Sequence, residues 1–251
     1  MDKLNIAIVT GGSGCVGSAV CQNLGALDFI DRVLVLDLKE PEQNASGNID
    51  FLKTDLSDEV FVESLIKHLD KIEGHVVTLV HCAAFYGDMP GWDCSFEHET
   101  KKAWEKVFAV NTFSLFLLVQ ALLGRQLDGQ RLTLINISSY YGSRAPNPAL
   151  YAGLAMTNVC SYGASKAASE QVVRWLSGMF GDRVRGNSIA LGGVFRDQPG
   201  KFLDRYNASV PAGRMAVEDE VGNLAAFLAD PRKSEYVSGQ TIYLDGGKSI
   251  W

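Results

Sequence analysis

The chain has 251 residues, 47% of them apolar, and a formal net charge of −6. That length and composition support one domain around a substantial core. The acidic balance and the absence of any run of five Lys or Arg exclude a basic surface for a nucleic-acid backbone.

The opening "MDK" leads straight into an apolar run, without the basic start, apolar stretch and cleavage site of a secretory leader. No uncharged apolar window long enough for a membrane span is expected, and a cytoplasmic location follows. In chain order the pattern predicts a strand at "NIAIVT" and a helix from about Val16, then the strand "RVLVLD". The strand "DFLKTD" and the helix "SDEVFVESLIKHL" follow, with the strand "HVVTLVHCAA" behind them. A long helix, "TKKAWEKVFAVNTFSLFLLVQALL", precedes the strand "RLTLINIS". The second half reads as the helix "SYGASKAASEQVVRWLSGMF", the strand "RVRGNSIAL", the helix "VEDEVGNLAAFLA" and the strand "QTIYLD".

Runs that are apolar on consecutive residues fit strands covered on both faces. Strands alternating with helices imply right-handed crossovers, so the predicted fold class is α/β. A single-domain Rossmann fold is expected, with a doubly wound parallel sheet of about seven strands flanked by helices on both faces. Ligands then bind beyond the carboxyl ends of the strands. Two irregular segments, 85–98 and 140–158, each follow a strand and are read as rim loops where substrate enters. The five cysteines, Cys15, Cys21, Cys82, Cys94 and Cys160, are odd in number and never in CxxC spacing. They are read as reduced, small core residues, and no metal site is expected.

In "TGGSGCVG", Gly11, Gly14 and Gly17 stand three apart between a predicted strand and a predicted helix. Glycines there allow a tight turn and close approach of a pyrophosphate, which the open N–H groups of the helix start bind. Asp37 ends the second strand twenty residues beyond Gly17, where its carboxylate can accept from an adenosine ribose. It also repels a 2′-phosphate, so NAD(H) is expected over NADP(H), a preference that Lys39 weakens without reversing. Asp55 is assigned to the adenine edge, with capping of a helix near Ser57 as its other role. The small residues Cys82, Ala83 and Ala84 leave room for the cofactor, and His81 is read as a packed, hydrogen-bonded histidine.

"SYGASK" places Tyr162 and Lys166 four apart on one helix face, with Ser139 at the end of the preceding strand and Asn111 in the long helix before it. With "TGGSGCVG", "HCAA", "AVN", "NISS", "NSIALGG", "PAGRMAVEDEVGNLAAFLA" and "SGQTIYLDGG" in that order, the chain resembles a short-chain dehydrogenase/reductase over almost its whole length. The resemblance implies a catalytic tetrad of Asn111, Ser139, Tyr162 and Lys166. It extends the cofactor contacts to Ser13, Cys15, Val16, Leu38, Leu56, Gly192 and the backbone of Val194. Asn111, Tyr162 and Lys166 also belong to the cofactor set.

A phenol titrates near 10, and lowering it by about 3 units needs about 4 kcal/mol. An ammonium about 4 Å away in an effective dielectric near 20 supplies that. Lys166, assisted by an oxidised nicotinamide, is therefore expected to activate Tyr162, and it would also hold the nicotinamide ribose. Ser139 would hold the substrate oxygen, and Asn111 would order a proton-relaying water.

Cys15 stands where the short branch of the family has glycine. The resulting TGxxGxxG, like "VHCAA", matches the longer branch that acts on nucleotide sugars. Ser139 and Tyr162 lie 23 positions apart, further than the resemblance implies, so 140–158 is read as an insertion. Tyr140, Tyr141 and Tyr151 there either line a polar, ring-shaped substrate site or pack against the next loop. In "LGGVFRDQP", Leu191 replaces a proline and Arg196 a threonine. Arg196 either meets an anionic substrate or is solvated.

This insert and the terminal aromatic resemble dehydrogenases of bacterial flagellin glycosylation and surface-sugar synthesis. The expected activity is NAD(H)-dependent oxidation or reduction of a secondary alcohol or ketone on a small-molecule sugar or nucleotide sugar. An epimerase or dehydratase with transient oxidation, and a dinucleotide sensor without turnover, are the alternatives. The apolar helices at "FAVNTFSLFLLVQALL" and "QVVRWLSGMF" resemble a subunit interface, so a homodimer or homotetramer is expected.

Overall fold

Every residue of the strands Leu132–Ser139 and Val184–Leu191 is buried, because helices cover both faces of the sheet they occupy. The computed structural model describes residues 3–42, 47–86, 96–126 and 129–250. The expectations for Cys94, for the terminal aromatic and for 87–95 of the first rim loop lie outside the described residues.

The elements run β1 Leu4–Thr10, α1 Cys15–Gly25, β2 Arg32–Asp37, β3 Ile49–Lys53, α2 Val60–Leu69 and β4 Gly74–His81. Next come α3 Lys101–Phe108, a π-helical turn Ala109–Phe113, α4 Ser114–Leu123, β5 Leu132–Ser139, α5 Pro148–Tyr151 and α6 Cys160–Met179. The chain closes with β6 Val184–Leu191, α7 Gly200–Ala208, α8 Glu218–Ala229, α9 Pro231–Ser234 and β7 Thr241–Leu244. All strand pairings are parallel, in the order β3-β2-β1-β4-β5-β6-β7. The order reverses direction between β1 and β4, which opens a crevice at their carboxyl ends.

Two cores flank the sheet. Val9, Val35, Ile135 and Ile189 meet Val20 and Leu24 of α1 and Val221 and Leu228 of α8. On the other face, Ile8, Leu34, Leu79 and Leu134 meet Leu65 of α2, Leu115 and Leu118 of α4, and Val173 and Leu176 of α6. Thr100 starts α3 by accepting a hydrogen bond from Ala103 N–H at 3.1 Å.

Several expectations are corrected. The stretch Lys101–Leu123 is long and apolar enough to cross a membrane, and its portion from Val107 onward carries no charge. Leu115, Leu118, Val119 and Leu122 bury that apolarity under the sheet. Asp55 caps no helix: its carboxylate accepts from Ser57 N–H and Oγ, while Asp58 accepts from Val60 N–H at the start of α2. Among the described cysteines Cys21 is buried, Cys15 and Cys82 are half-buried, and Cys160 is exposed, so only Cys21 fits a fully buried core role. All four are free. The short helices α5 and α7 were not part of the sequence pattern and matter for the site.

Candidate active site

The bend between β1 and α1 requires its glycines. Gly11 has φ +65°, and a Cβ there would lie 2.8 Å from the Ala83 backbone. A Cβ on Gly17 would sit 2.0 Å from the Gly11 carbonyl oxygen. Gly14 donates to that same oxygen at 3.1 Å and starts α1 without a side-chain cap. The first N–H groups of α1, on Cys15, Val16 and Gly17, are thus left for an anion, and the bend fits a pyrophosphate.

Asp37 ends β2 beside this bend. Its Oδ2 accepts from Ser13 N–H at 3.0 Å and its Oδ1 from Leu38 N–H at 2.7 Å. The carboxylate therefore ties the bend to the strand end while remaining half-exposed to a ribose. Leu38 is exposed, whereas the Leu56 side chain is buried in the second core and leaves only its backbone for a ligand. Cys82 and Ala83 pair through their N–H groups with Thr10 O and Oγ1 at the end of β1.

Further along the same edge, Val16, Cys82, Ala84, Ser139, Tyr162, Lys166, Gly192 and Val194 border one cavity of about 760 Å³. A parallel bridge pairs Val194 with Ala216, and Val194 O accepts from Gln198 Nε2 at 2.8 Å. That bridge leaves Val194 N–H facing away from Ala216, where a carboxamide oxygen fits.

Tyr162 is 7% exposed and Lys166 1%. Lys166 Nζ donates to Ile137 O at 2.7 Å and lies 5.7 Å from the centre of the Tyr162 ring. The Tyr86 ring packs on that of Tyr162 with centroids 4.6 Å apart, and Ser139 borders the same cavity. Burial is the first cause that raises the Tyr162 phenol well above its ordinary value of 10.0, with Tyr86 next; the Ser139 hydroxyl and the Arg196 charge pull it down. Burial also lowers Lys166 to about 8. In the protein without cofactor, burial outweighs the charges around the phenol.

Asn111 is fully buried in the π-helical turn and does not line the cavity. Its Oδ1 accepts from Phe85 N–H at 2.7 Å, and its Nδ2 donates to Phe85 O at 3.0 Å and to Ser165 Oγ at 3.0 Å. The amide clamps the loop after β4. It thereby fixes the residue next to Tyr86.

The sequence pattern missed Tyr86, Gln198, and Phe202 and Tyr206 of α7, all of which border the cavity. The irregularity of 85–98 flagged the segment that holds Tyr86, and "FRDQP" contains Gln198. No signal marked α7, whose Phe202 packs with Tyr151 of α5 at 5.7 Å between ring centres. Tyr141 and Tyr151 share a hydroxyl–hydroxyl bond of 2.6 Å that ties the two rings together in the cavity wall.

His81 lies behind the site with its Nε2 2.8 Å from Ser114 Oγ. Ser114 Oγ in turn donates to Val110 O. Burial, then the Lys166 charge, lower His81 from 6.5 to about 3. The folded chain thus keeps it neutral where the unfolded chain protonates it. Its contribution is fully present above pH 6.5 and is lost as pH falls toward 3. Between pH 7 and 4.5 this amounts to about 3 kcal/mol. Urea unfolding at those two pH values is expected to show a smaller acid loss in His81→Gln than in the parent; equal losses would assign the acid sensitivity elsewhere.

Among the described residues, no group of three or more His, Cys, Asp or Glu forms a metal-binding cluster.

Residues 31–249 match a family model described as "Enoyl-(Acyl carrier protein) reductase". The rhamnolipids biosynthesis 3-oxoacyl-[acyl-carrier-protein] reductase of Pseudomonas aeruginosa is 30% identical, over 96% of this chain and 95% of that protein. The post-translational flagellin modification protein A of Campylobacter coli is 25% identical, over 96% and 97%. The NAD+-bound crystal structure of a short chain dehydrogenase from Leptospira borgpetersenii superposes with a TM-score of 0.86. It is 25% identical and covers 99% of this chain and 94% of that one.

Proposed function

Because this chain belongs to the short-chain dehydrogenase/reductase family, an oxidoreductase family that uses nicotinamide cofactors, we propose that it is an NAD(H)-dependent enzyme for a secondary alcohol or ketone carried by a small sugar derivative. The observation that carries this reading is the one cavity bordered by Ser139, Tyr162 and Lys166, which reaches Val16 in the first turn of α1. Gly11, Ser13, Gly14, Cys15, Val16 and Gly17 would hold the pyrophosphate, Asp37 and Leu38 the ribose, and Asp55 and Leu56 the adenine end. Cys82, Ala83, Ala84, Gly192 and Val194 would hold the nicotinamide end. The nicotinamide, when bound, supplies or accepts a hydride.

The chain's own part is proton handling at Tyr162 Oη. Ser139, which borders the same cavity as that phenol, aligns the substrate oxygen beside it. The phenol keeps its proton in the protein alone, which suits donation to a ketone oxygen; in the other direction the phenol needs added positive charge from the bound cofactor. Lys166, held on Ile137 O, orients the ribose end and supplies part of that charge. Asn111 acts as a positioning residue through Phe85.

The resemblance of the insert to dehydrogenases of flagellin glycosylation supports a sugar derivative as substrate, and a flagellin modification protein is among the relatives. Purified enzyme, screened with sugars, their phosphates and nucleotide conjugates, is expected to form NADH with at least one class and to use NADP+ poorly. Asp37→Ser should narrow that cofactor preference, because the repelling carboxylate is gone. An epimerase or dehydratase would return the hydride and leave no net NADH. Inability to bind NADH at all would overturn the proposal.

A homodimer or homotetramer in the cytoplasm completes the reading. Phe113 and Phe116 at the start of α4, and Trp175 and Met179 of α6, are exposed apolar side chains on the helices expected to pair. Light scattering should give at least two chains per particle.

A further inference from the structure

Beyond the strand ends the cavity is walled mostly by aromatic and aliphatic side chains. The Tyr141 and Tyr151 hydroxyls bond each other, and the Tyr206 hydroxyl accepts from Gly193 N–H. The rings of these tyrosines and of Tyr140 are joined by Leu154, Met156 and Met215. Such a wall stacks on the C–H face of a ring and leaves its polar substituents to be met elsewhere.

Arg196 is the open cation in that wall. It borders the same cavity as Tyr162. Its turn is fixed by Gln198, whose Oε1 accepts from Arg196 N–H at 2.7 Å while its Nε2 donates to Val194 O at 2.8 Å. Of the eleven arginines in the chain, ten bond or pair with described groups. Arg32, Arg125, Arg131, Arg174, Arg185, Arg214 and Arg232 meet carboxylates. Arg144, Arg183 and Arg205 donate to carbonyl oxygens. The Arg196 guanidinium makes no such contact among the described residues. Asp197, the one carboxylate that borders the cavity, does not pair with it.

We infer that the substrate carries a carboxylate or phosphate, with Arg196 gripping this anion by its planar fork of donors while the tyrosine wall takes the ring. This rests on the oxidoreductase reading above and narrows it to acidic ring alcohols or ketones. A guanidinium matches either anion in a two-bond geometry that an alcohol cannot supply. Position adds to the argument: the Arg196 charge reaches the Tyr162 phenol, so a bound anion lies within the same electrostatic neighbourhood as the reacting oxygen.

The test uses the enzyme–NADH complex and three cyclohexane probes: cyclohexanecarboxylate, cyclohexyl phosphate and cyclohexanol. NADH fluorescence reports their binding without any need for turnover. At least one anion should bind about 10- to 100-fold more tightly than cyclohexanol, and the tighter one identifies the substrate's anion. Arg196→Gln should remove that advantage while leaving the cyclohexanol and NADH affinities unchanged, and Arg196→Lys should restore part of it. Equal binding of the three probes, failure of both anions to bind, or an equal loss for cyclohexanol in Arg196→Gln would overturn the inference and leave the oxidoreductase reading standing. Loss of NADH binding by the parent protein would instead strike that reading.

Discussion

Tyr162→Phe is expected to lower kcat about a thousandfold while leaving the NADH dissociation constant within about twofold. The substitution removes one oxygen and keeps the ring that packs on Tyr86 and Val159. Ser139 keeps the bond it accepts from Tyr141 N–H at 3.2 Å, so the strand end holds its shape. The loss should therefore fall on the proton step and spare binding. Steady-state turnover on any substrate from the screen, combined with NADH fluorescence titration, separates the two. Retained turnover would remove Tyr162 from the chemistry.

Gly17→Ala should abolish measurable NADH binding and destabilise the fold by about 3 kcal/mol. The added methyl meets the Gly11 carbonyl oxygen at 2.0 Å and the Gly12 Cα at 2.8 Å. Both are backbone, so no side chain can swing aside; α1 has to move off the sheet or the bend has to open. Either displacement disperses the N–H groups that face the pyrophosphate. Gly178→Ala is the matched control: it lies in α6 with nothing within 4 Å of the added atom. It should leave NADH binding unchanged and stabilise by up to about 1 kcal/mol, as removal of a helical glycine does. Urea unfolding and titration of both variants provide the check.

The fold was legible because strand period, helix period and turn glycines agree locally. Consecutive apolar residues in β1, β4 and β5 announced strands covered on both faces, and the glycine spacing with Asp37 announced the first crossover. The group around Ser139, Tyr162 and Lys166 was legible through residue type and order. What remained hidden depends on contacts between distant segments. Tyr86 reaches Tyr162 because Asn111, 25 positions further along the chain than Tyr86, clamps the backbone of Phe85. Neither partner's local sequence carries that information. The burial that raises Tyr162 was hidden for a similar reason: charge spacing along a helix is visible in sequence, whereas the desolvation comes from Tyr86, Val159 and Tyr141 closing around the phenol. The insertion's phenols were read either as polar substrate contacts or as loop packing, and the bond between Tyr141 and Tyr151 ties two of them together in the cavity wall.

The central claim is that one adenine dinucleotide spans the carboxyl edge of the sheet from Asp37 to Tyr162. A crystal structure grown with NAD+ tests it most directly. The account predicts pyrophosphate density against the N–H groups of residues 15–17, and nicotinamide density inside the cavity beside Ser139 and Tyr162. Density for the dinucleotide on any other surface, or a Tyr162 hydroxyl turned away from the nicotinamide, would contradict it.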